Sequence, residues 1–175
     1  MKFFSDIRLL LLGLWLGAAV FFIGAAQVAF VVLPQREMAG AVVSGDLALL
    51  NYSGLAVATL MILSSLVGVS NVNKLWLWIE RSLLVLLGTA CAAGQFLIGF
   101  WLASIRAQMG KPIDELATDD PLRIQFNTLH QYSEWILLTA MVAALMTFFI
   151  ISNRKFGAAK TAASDVYDFS KESKI

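Results

Sequence analysis

Four long apolar runs constrain this chain more than any other feature of its sequence. They cover residues 9–33, 47–70, 82–103 and 135–152. As a helix rising about 1.5 Å per residue, the first run would be about 37 Å long, enough to cross a hydrocarbon layer of about 30 Å with some tilt. The pattern therefore predicts an all-α, polytopic membrane protein, an antiparallel bundle of four transmembrane helices.

The charged residues are few and lie mostly between these runs. The 175 residues are 59% hydrophobic and 14% charged, against about 25% charged in a typical soluble domain. A net charge of +1 gives no basic field of the kind that nucleic-acid binding needs. We therefore expect the lipid bilayer as partner, together with a membrane-protein partner or self-association, and no nucleic acid.

The first run allows two interpretations, a signal peptide or a retained membrane anchor. Residues 1–8 resemble the charged front of a signal peptide, and small residues would permit cleavage after Ala26. The apolar run nevertheless continues to Leu33, beyond the usual length of a signal peptide's apolar region. We expect the segment to be retained as the first transmembrane helix.

Breaker residues predict where the helices are interrupted. Pro34 ends the first helix, and residues 34–46 are predicted to form a short connection. The sequence Asn71–Lys74 is predicted to form a polar turn between the second and third helices. Trp76 and Trp78 follow this turn and Trp101 ends the third run, as expected of tryptophans at the two membrane interfaces.

An extramembrane hairpin is predicted between the third and fourth helices. The third helix should continue to Met109 and stop at Gly110, with Pro112 shortly after. Asp120 is a suitable N-cap for a helix running over 121–152, about 48 Å long, which exceeds the thickness of the membrane. Its part over 121–134 should therefore protrude from the bilayer.

The distribution of Lys and Arg predicts the orientation. One side of the membrane would carry nine of these residues and the other side four, namely Arg36, Arg106, Lys111 and Arg123. The positive-inside bias then places both termini in the cytoplasm of a cell whose inner membrane holds the protein. We interpret residues 1–152 as the transmembrane domain and 153–175 as a cytoplasmic polar tail.

The polar residues of the hairpin form the candidate site. Helical spacing brings several of them to one stripe on the fourth helix, which Arg106 should face from the third helix; the candidates are Arg106, Arg123, Asn127, His130, Ser133 and Glu134. They could line a polar vestibule in which His130 exchanges protons near neutral pH and a carboxylate holds its tautomer. Alternatively, these residues pair with one another and brace the hairpin. We favour this interpretation because structural ion-pair networks show the same pattern of residues as a functional polar site.

No catalytic, cofactor or metal signature is present. One His and one Cys, Cys91, do not suffice for a typical zinc site, and bis-histidine haem would need a second His. The six Met residues have no paired spacing of the kind that copper sites use. Gln27 and Gln95 lie inside apolar runs, where they mark a polar pathway or, as we favour, form hydrogen bonds between helices.

Several motifs resemble one family. LGLWLGAAVFFIGAA, VVLP, LALLNYSGLA, SIRAQMG and DPLRIQFNTLHQYS are similar to the transmembrane-protein-205-like family, known in bacteria as domain of unknown function 4149. The resemblance covers residues 8–152, and its most specific parts are Arg106 and the Leu129, His130 and Ser133 motif. This sequence has Leu137 where the family pattern often has Asn. The resemblance implies no settled activity, and eukaryotic relatives suggest membrane trafficking or tolerance of metal drugs.

Three hypotheses for function follow. The lack of cofactor ligands favours a non-enzymatic accessory or scaffold subunit of an inner-membrane complex. The alternative is a transporter or small-molecule binder that uses the vestibule around Arg106, His130 and Glu134. A membrane oxidoreductase subunit has the least support, because His130 is the only imidazole.

Overall fold

The computed structural model describes residues 2–66 and 74–153, with side chains from residue 3 onward. This part of the chain forms four long helices and no strand: α1 (Lys2–Val32), α2 (Arg36–Leu66), α3 (Lys74–Met109) and α4 (Pro121–Ser152). Each helix contains a stretch long and apolar enough to cross a membrane. The predicted all-α four-helix membrane fold is confirmed.

The four helices form a ring in which each helix packs against two neighbours. α1 contacts α2 and α4, and α3 contacts the same two helices. Because successive helices are antiparallel, the bundle has two distinct ends. The terminal end holds the starts of α1 and α3 and the ends of α2 and α4. The hairpin end holds the α1–α2 and α3–α4 connections.

The helices extend beyond the predicted apolar spans. Only residues 33–35 separate α1 from α2, so the expected connection over 34–46 is wrong in length. Backbone hydrogen bonding continues almost without a gap: Leu33 N donates to Ala29 O at 3.0 Å and Ala39 N donates to Gln35 O at 3.2 Å. A helix need not end where its apolar run ends, because backbone pairing depends on dihedral angles and not on hydropathy.

The predicted boundaries of the α3–α4 hairpin are confirmed. Gly110 has a φ of 63°, the left-handed conformation that ends a helix and that glycine adopts without a Cβ penalty. Asp120 Oδ1 accepts a hydrogen bond from Leu122 N at 2.8 Å, and Pro121 is the first residue of α4. One 3₁₀ turn, Ile113–Glu115, lies in the connection. The predicted polar tail and most of the predicted turn over 71–74 lie outside the described residues.

Two apolar cores, which meet at the half-buried Ile136, hold the bundle together. The first draws on all four helices; its fully buried members include Leu12, Met61, Leu84, Leu87 and Ala144. The second lies at the hairpin end and is built only from α3, α4 and their connection, through Ile98, Ile105, Met109, Leu116 and Leu129. No described residue of α1 after Ala19 is buried. The hairpin-end halves of α1 and α2 therefore contribute no buried side chain to the second core.

A π-helical segment over Ala93–Ile98 divides α3. Up to the end of this segment, buried positions on one face of α3 alternate in steps of three and four, at 77, 80, 84, 87, 91, 94 and 98, and Ala90 is buried beside them. After the segment come Leu102, half-buried, and then Ile105 and Met109, both buried. The steps from 94 to 98 and from 98 to 102 are both four residues long. This break in the alternation shifts the helical phase of the buried face, which is the effect of the wider π turn. The segment thus directs the outer half of α3 towards the second core.

The exposed tryptophans mark two levels on the bundle. Trp76 and Trp78 are exposed at the terminal end, and Trp101 and Trp135 are exposed near the hairpin end. Trp78 and Trp101 are separated by about 35 Å along a helix axis, which fits the two interfaces of a bilayer. Trp15 differs, because it is buried and donates from Nε1 to Leu50 O at 3.1 Å.

Candidate functional site

Three of the six predicted vestibule residues lie on the outer surface of α4. His130 Nε2 and Glu134 Oε1 are 3.5 Å apart, and both side chains are largely exposed. They line an open depression together with Asn127, and every residue that lines it belongs to α4. The depression is therefore a feature of one helix surface and not a cavity between α3 and α4.

Arg106 connects α3 to both α2 and α4. Its Nη1 donates to Ser44 Oγ at 3.3 Å, and its guanidinium carbon lies 5.3 Å from the centre of the Phe126 ring. The Phe126 ring in turn stacks on His130, with ring centres 6.3 Å apart and planes 7° apart. Arg106 is thus linked to His130 through an aromatic ring, by a cation–π contact and a stacking contact.

The remaining two predicted residues point elsewhere. Arg123 Nη1 donates to Leu116 O at 2.6 Å and so holds the α3–α4 connection against α4. Ser133 is buried inside the bundle. The six residues consequently occupy three settings: the α4 surface, the contacts that join the helices at the hairpin end, and the interior.

An exposed ion pair also joins the two hairpins. Arg36 Nη1 lies 3.0 Å from Asp114 Oδ1, which links the start of α2 to the α3–α4 connection. This pair was not identified from the sequence. Both side chains are about half exposed or more, so this contact contributes little to stability.

The two intramembrane glutamines differ in their contacts. Gln95 Nε2 donates to Tyr52 Oη at 3.4 Å, a hydrogen bond between α3 and α2 of the kind expected from the sequence. Gln27 is exposed on α1 and has no hydrogen bond to another described residue. Of these two glutamines, Gln95 alone therefore contributes a polar link to another helix within the described residues.

A buried ion pair between α1 and α3 is the polar feature that sequence reasoning missed. Arg8 Nη2 pairs with Glu80 Oε1 and also donates to Met61 O of α2 at 3.2 Å. Glu80 is fully buried and Arg8 is nearly so. The contact ties three helices together at the terminal end, in surroundings where an uncompensated charge would be costly.

The sequence does contain a signal for this pair. Glu80 follows Leu77 by three residues and precedes Leu84 by four, so it lies on the apolar stripe of α3. Arg8 directly precedes the apolar run of α1. Each of the two residues is adjacent to a polar segment, where a charge at the end of a membrane span is usual, but helical phase places Glu80 inside the bundle.

A second arginine binds the same end of α2. Arg81 Nε donates to Ser65 Oγ at 3.1 Å, and Arg81 Nη2 donates to Ser65 O at 2.8 Å. Arg8 and Arg81 thus both reach carbonyl groups in the last two turns of α2. The negative end of the helix dipole lies there, and cations are favourable at that position.

Comparison with known proteins yields one match. A family model described as "Domain of unknown function (DUF4149)" matches residues 10–111. This range includes α2, α3 and Arg106, and it ends before α4, so Asn127, His130 and Glu134 lie outside it. No curated protein matches the chain, and no solved structure does.

Proposed function

We propose that this chain, which belongs to the family described as domain of unknown function DUF4149, is a non-enzymatic accessory or scaffold subunit of a membrane complex. The observation that carries the proposal is the make-up of the second core, which draws on α3, α4 and their connection alone. The hairpin-end halves of α1 and α2, residues 20–49, contribute no buried side chain to the second core. We call these residues the arm.

The arm has few polar links to the rest of the bundle. In the described part of the chain, its hydrogen bonds and ion pairs to α3, α4 and their connection are two: Arg36 with Asp114, and Ser44 with Arg106. Ala39 is the one residue of the arm that is buried among those described. A pair of helices attached in this way can pack against another membrane protein without disrupting its own bundle.

The surface of the arm suits close packing of helices. Phe21 and Val31 are 76% and 84% exposed, and a Cβ added at Gly24 would meet no atom within 4 Å. In lipid, apolar exposure alone gives no driving force, whereas small residues allow two backbones to approach closely. The arm offers large side chains and an open glycine on the same helix.

Position-specific photocrosslinking in native membranes tests this proposal. A photoreactive amino acid at Phe21 or Val31 should give one discrete product of constant mass. The same amino acid at Val85 or Leu138, which are exposed outside the arm, should not. Gly24→Leu should reduce the product by blocking close approach. Equal products from all four positions, or a protein that is monomeric in several mild detergents, would contradict the proposal.

We further propose that the protein resides in the inner membrane with both termini in the cytoplasm. The support is the positive-inside bias of nine Lys and Arg residues against four. A relationship to the wider transmembrane-protein-205-like family remains part of the same proposal. The alternative function, a transporter or small-molecule binder, receives less support because the depression around His130 is lined by one helix alone.

A further inference from the structure

Among the described residues, the seam between α2 and α3 at the terminal end carries two cations and no exposed anion. Lys74 is exposed and Arg81 is half-buried. Over residues 58–66 of α2 and 74–85 of α3, the only acidic side chain is Glu80, which is buried and paired with Arg8. Asp6 lies beside Phe148 at the junction of α1 and α4, across the ring from this seam. The seam is therefore locally positive.

Helical geometry places the two cations on one strip of α3 together with a tryptophan. At about 100° per residue, Lys74, Trp78 and Arg81 fall within about 60° of one another. Trp78 is 71% exposed, and it belongs to the pair of tryptophans that marks the terminal interface. Arg81 follows Trp78 by three residues, about 4.5 Å along the axis. Its charged group thus lies near the level where lipid headgroups meet acyl chains.

The Arg81 guanidinium is fixed on one edge and open on the other. Nε and Nη2, which share an edge, donate to Ser65. Of the five N–H groups of a guanidinium, the two at Nη1 and one at Nη2 have no acceptor among the described residues. A guanidinium held in this way offers a preorganised pair of parallel donors, the geometry that suits two oxygens of a phosphate.

We infer that this seam is a binding site for the phosphate of an anionic phospholipid. The open edge of Arg81 donates to two phosphate oxygens, Lys74 supplies a second positive charge, and Trp78 packs against the glycerol and the first part of the acyl chains. A lipid with a net negative charge is favoured over a zwitterionic lipid because two cations face it without an anion between them. The site is independent of the arm and of the proposed accessory function.

Native mass spectrometry of the full chain in a mild non-ionic detergent tests the site. Phosphatidylglycerol and phosphatidylcholine are titrated separately, and bound lipid is counted. The wild-type protein should bind one phosphatidylglycerol molecule in clear preference to phosphatidylcholine. Arg81→Gln should weaken this binding roughly tenfold or more, the loss expected for a hydrogen bond to a charged group. Arg81→Lys, which keeps the charge but loses the paired donors, should give an intermediate affinity.

Matched variants separate a built site from general attraction of charge. Lys111→Gln removes one exposed positive charge at the hairpin end and should leave the preference unchanged, whereas Ser65→Ala should weaken binding by releasing the guanidinium. Equal losses in Lys111→Gln and Arg81→Gln, or an unchanged affinity in Arg81→Lys, would overturn the inference. Inorganic phosphate at constant ionic strength should not displace the lipid; displacement would indicate a site for a soluble anion instead.

Discussion

Two ion pairs of similar chemistry have different roles in this molecule because their surroundings differ. Arg8 and Glu80 are buried between helices, whereas Arg36 and Asp114 are exposed at the hairpin end. Breaking a buried pair leaves an uncompensated charge in a medium of low dielectric constant, but an exposed residue regains water. The position of a charge relative to the helical stripe therefore decides its contribution to stability.

Removing one partner of the buried pair should be strongly destabilising. Arg8→Met or Glu80→Met should each lower the free energy of unfolding by about 3–5 kcal/mol. The double variant Arg8→Met/Glu80→Met should lose much less than the sum of the two, because it leaves no isolated charge. Unfolding in mixed detergent micelles gives these free energies. Arg36→Gln is the control and should cost less than about 1 kcal/mol; additive losses would refute the coupling.

One close approach of α2 to its neighbours depends on a single glycine. A Cβ at Gly54 would lie 2.5 Å from Cys91 Sγ and 2.8 Å from Trp15 Nε1. We expect Gly54→Ala to destabilise the bundle by about 1–3 kcal/mol through overpacking. A Cβ at Gly17 would contact nothing within 4 Å, so Gly17→Ala should stabilise α1 slightly through helix propensity.

Thermal unfolding followed by tryptophan fluorescence distinguishes these two glycine variants. The melting temperature should fall for Gly54→Ala and stay level or rise for Gly17→Ala. Adding Cys91→Ala to Gly54→Ala should recover part of the loss, because it removes the closest clash. If both glycine variants shift the melting temperature alike, helix propensity and not packing governs position 54.

At the scale of helices, local chemistry decides some boundaries and tertiary packing decides others. The end of α3 at Gly110 and the start of α4 after Asp120 follow from turn and capping residues, which the sequence displays directly. The start of α2 at Arg36 and the π segment over Ala93–Ile98 do not. Hydropathy locates the membrane-spanning part of a helix but not its ends. A π turn depends on packing against neighbouring helices, which is close here: a Cβ at Gly94 would lie 3.2 Å from Asn51 Nδ2 of α2.

The candidate site was predictable only where it depended on helical spacing. His130 and Glu134 lie one turn apart on one face and form the predicted contact. The link from Arg106 to His130 passes through Phe126, and an apolar residue gives no polar signal in a sequence. Likewise, the pairing of Arg8 with Glu80 depends on how α1 and α3 come together, which one sequence does not specify.

The cap at Asp120 gives a prediction at this scale. Asp120→Ala should lower the stability of the first turn of α4 by about 1 kcal/mol, because the hydrogen bond to Leu122 N is lost. Asp119 is exposed and makes no hydrogen bond to another described residue, so Asp119→Ala is the matched control. Hydrogen exchange should become faster over residues 121–125 in the first variant alone. Equal exchange in both variants would show that packing, not the cap, fixes this turn.

Across the whole molecule, the two ends carry charge of opposite sign. By sequence, the hairpin end has four basic and seven acidic residues: Arg36, Arg106, Lys111 and Arg123 against Glu37, Asp46, Asp114, Glu115, Asp119, Asp120 and Glu134. The terminal end and the tail together carry nine basic residues and five acidic ones. Insertion retains Lys and Arg on the cytoplasmic side, so the asymmetry predicts a single orientation. In the proposed orientation, the lipid-phosphate seam would lie in the cytoplasmic leaflet, where anionic lipids attract basic residues.

Cysteine labelling of intact cells tests that orientation, and the natural sequence is well suited to it. Cys91 is the only cysteine and is 1% exposed, so the wild-type protein should not react with a membrane-impermeant maleimide. Lys111→Cys, at the exposed hairpin end, should react in intact cells. Asp6→Cys, at the terminal end, should react only after the membrane is permeabilised. The reverse pattern would overturn the orientation, and labelling of both positions in intact cells would contradict an odd number of membrane crossings between residues 6 and 111.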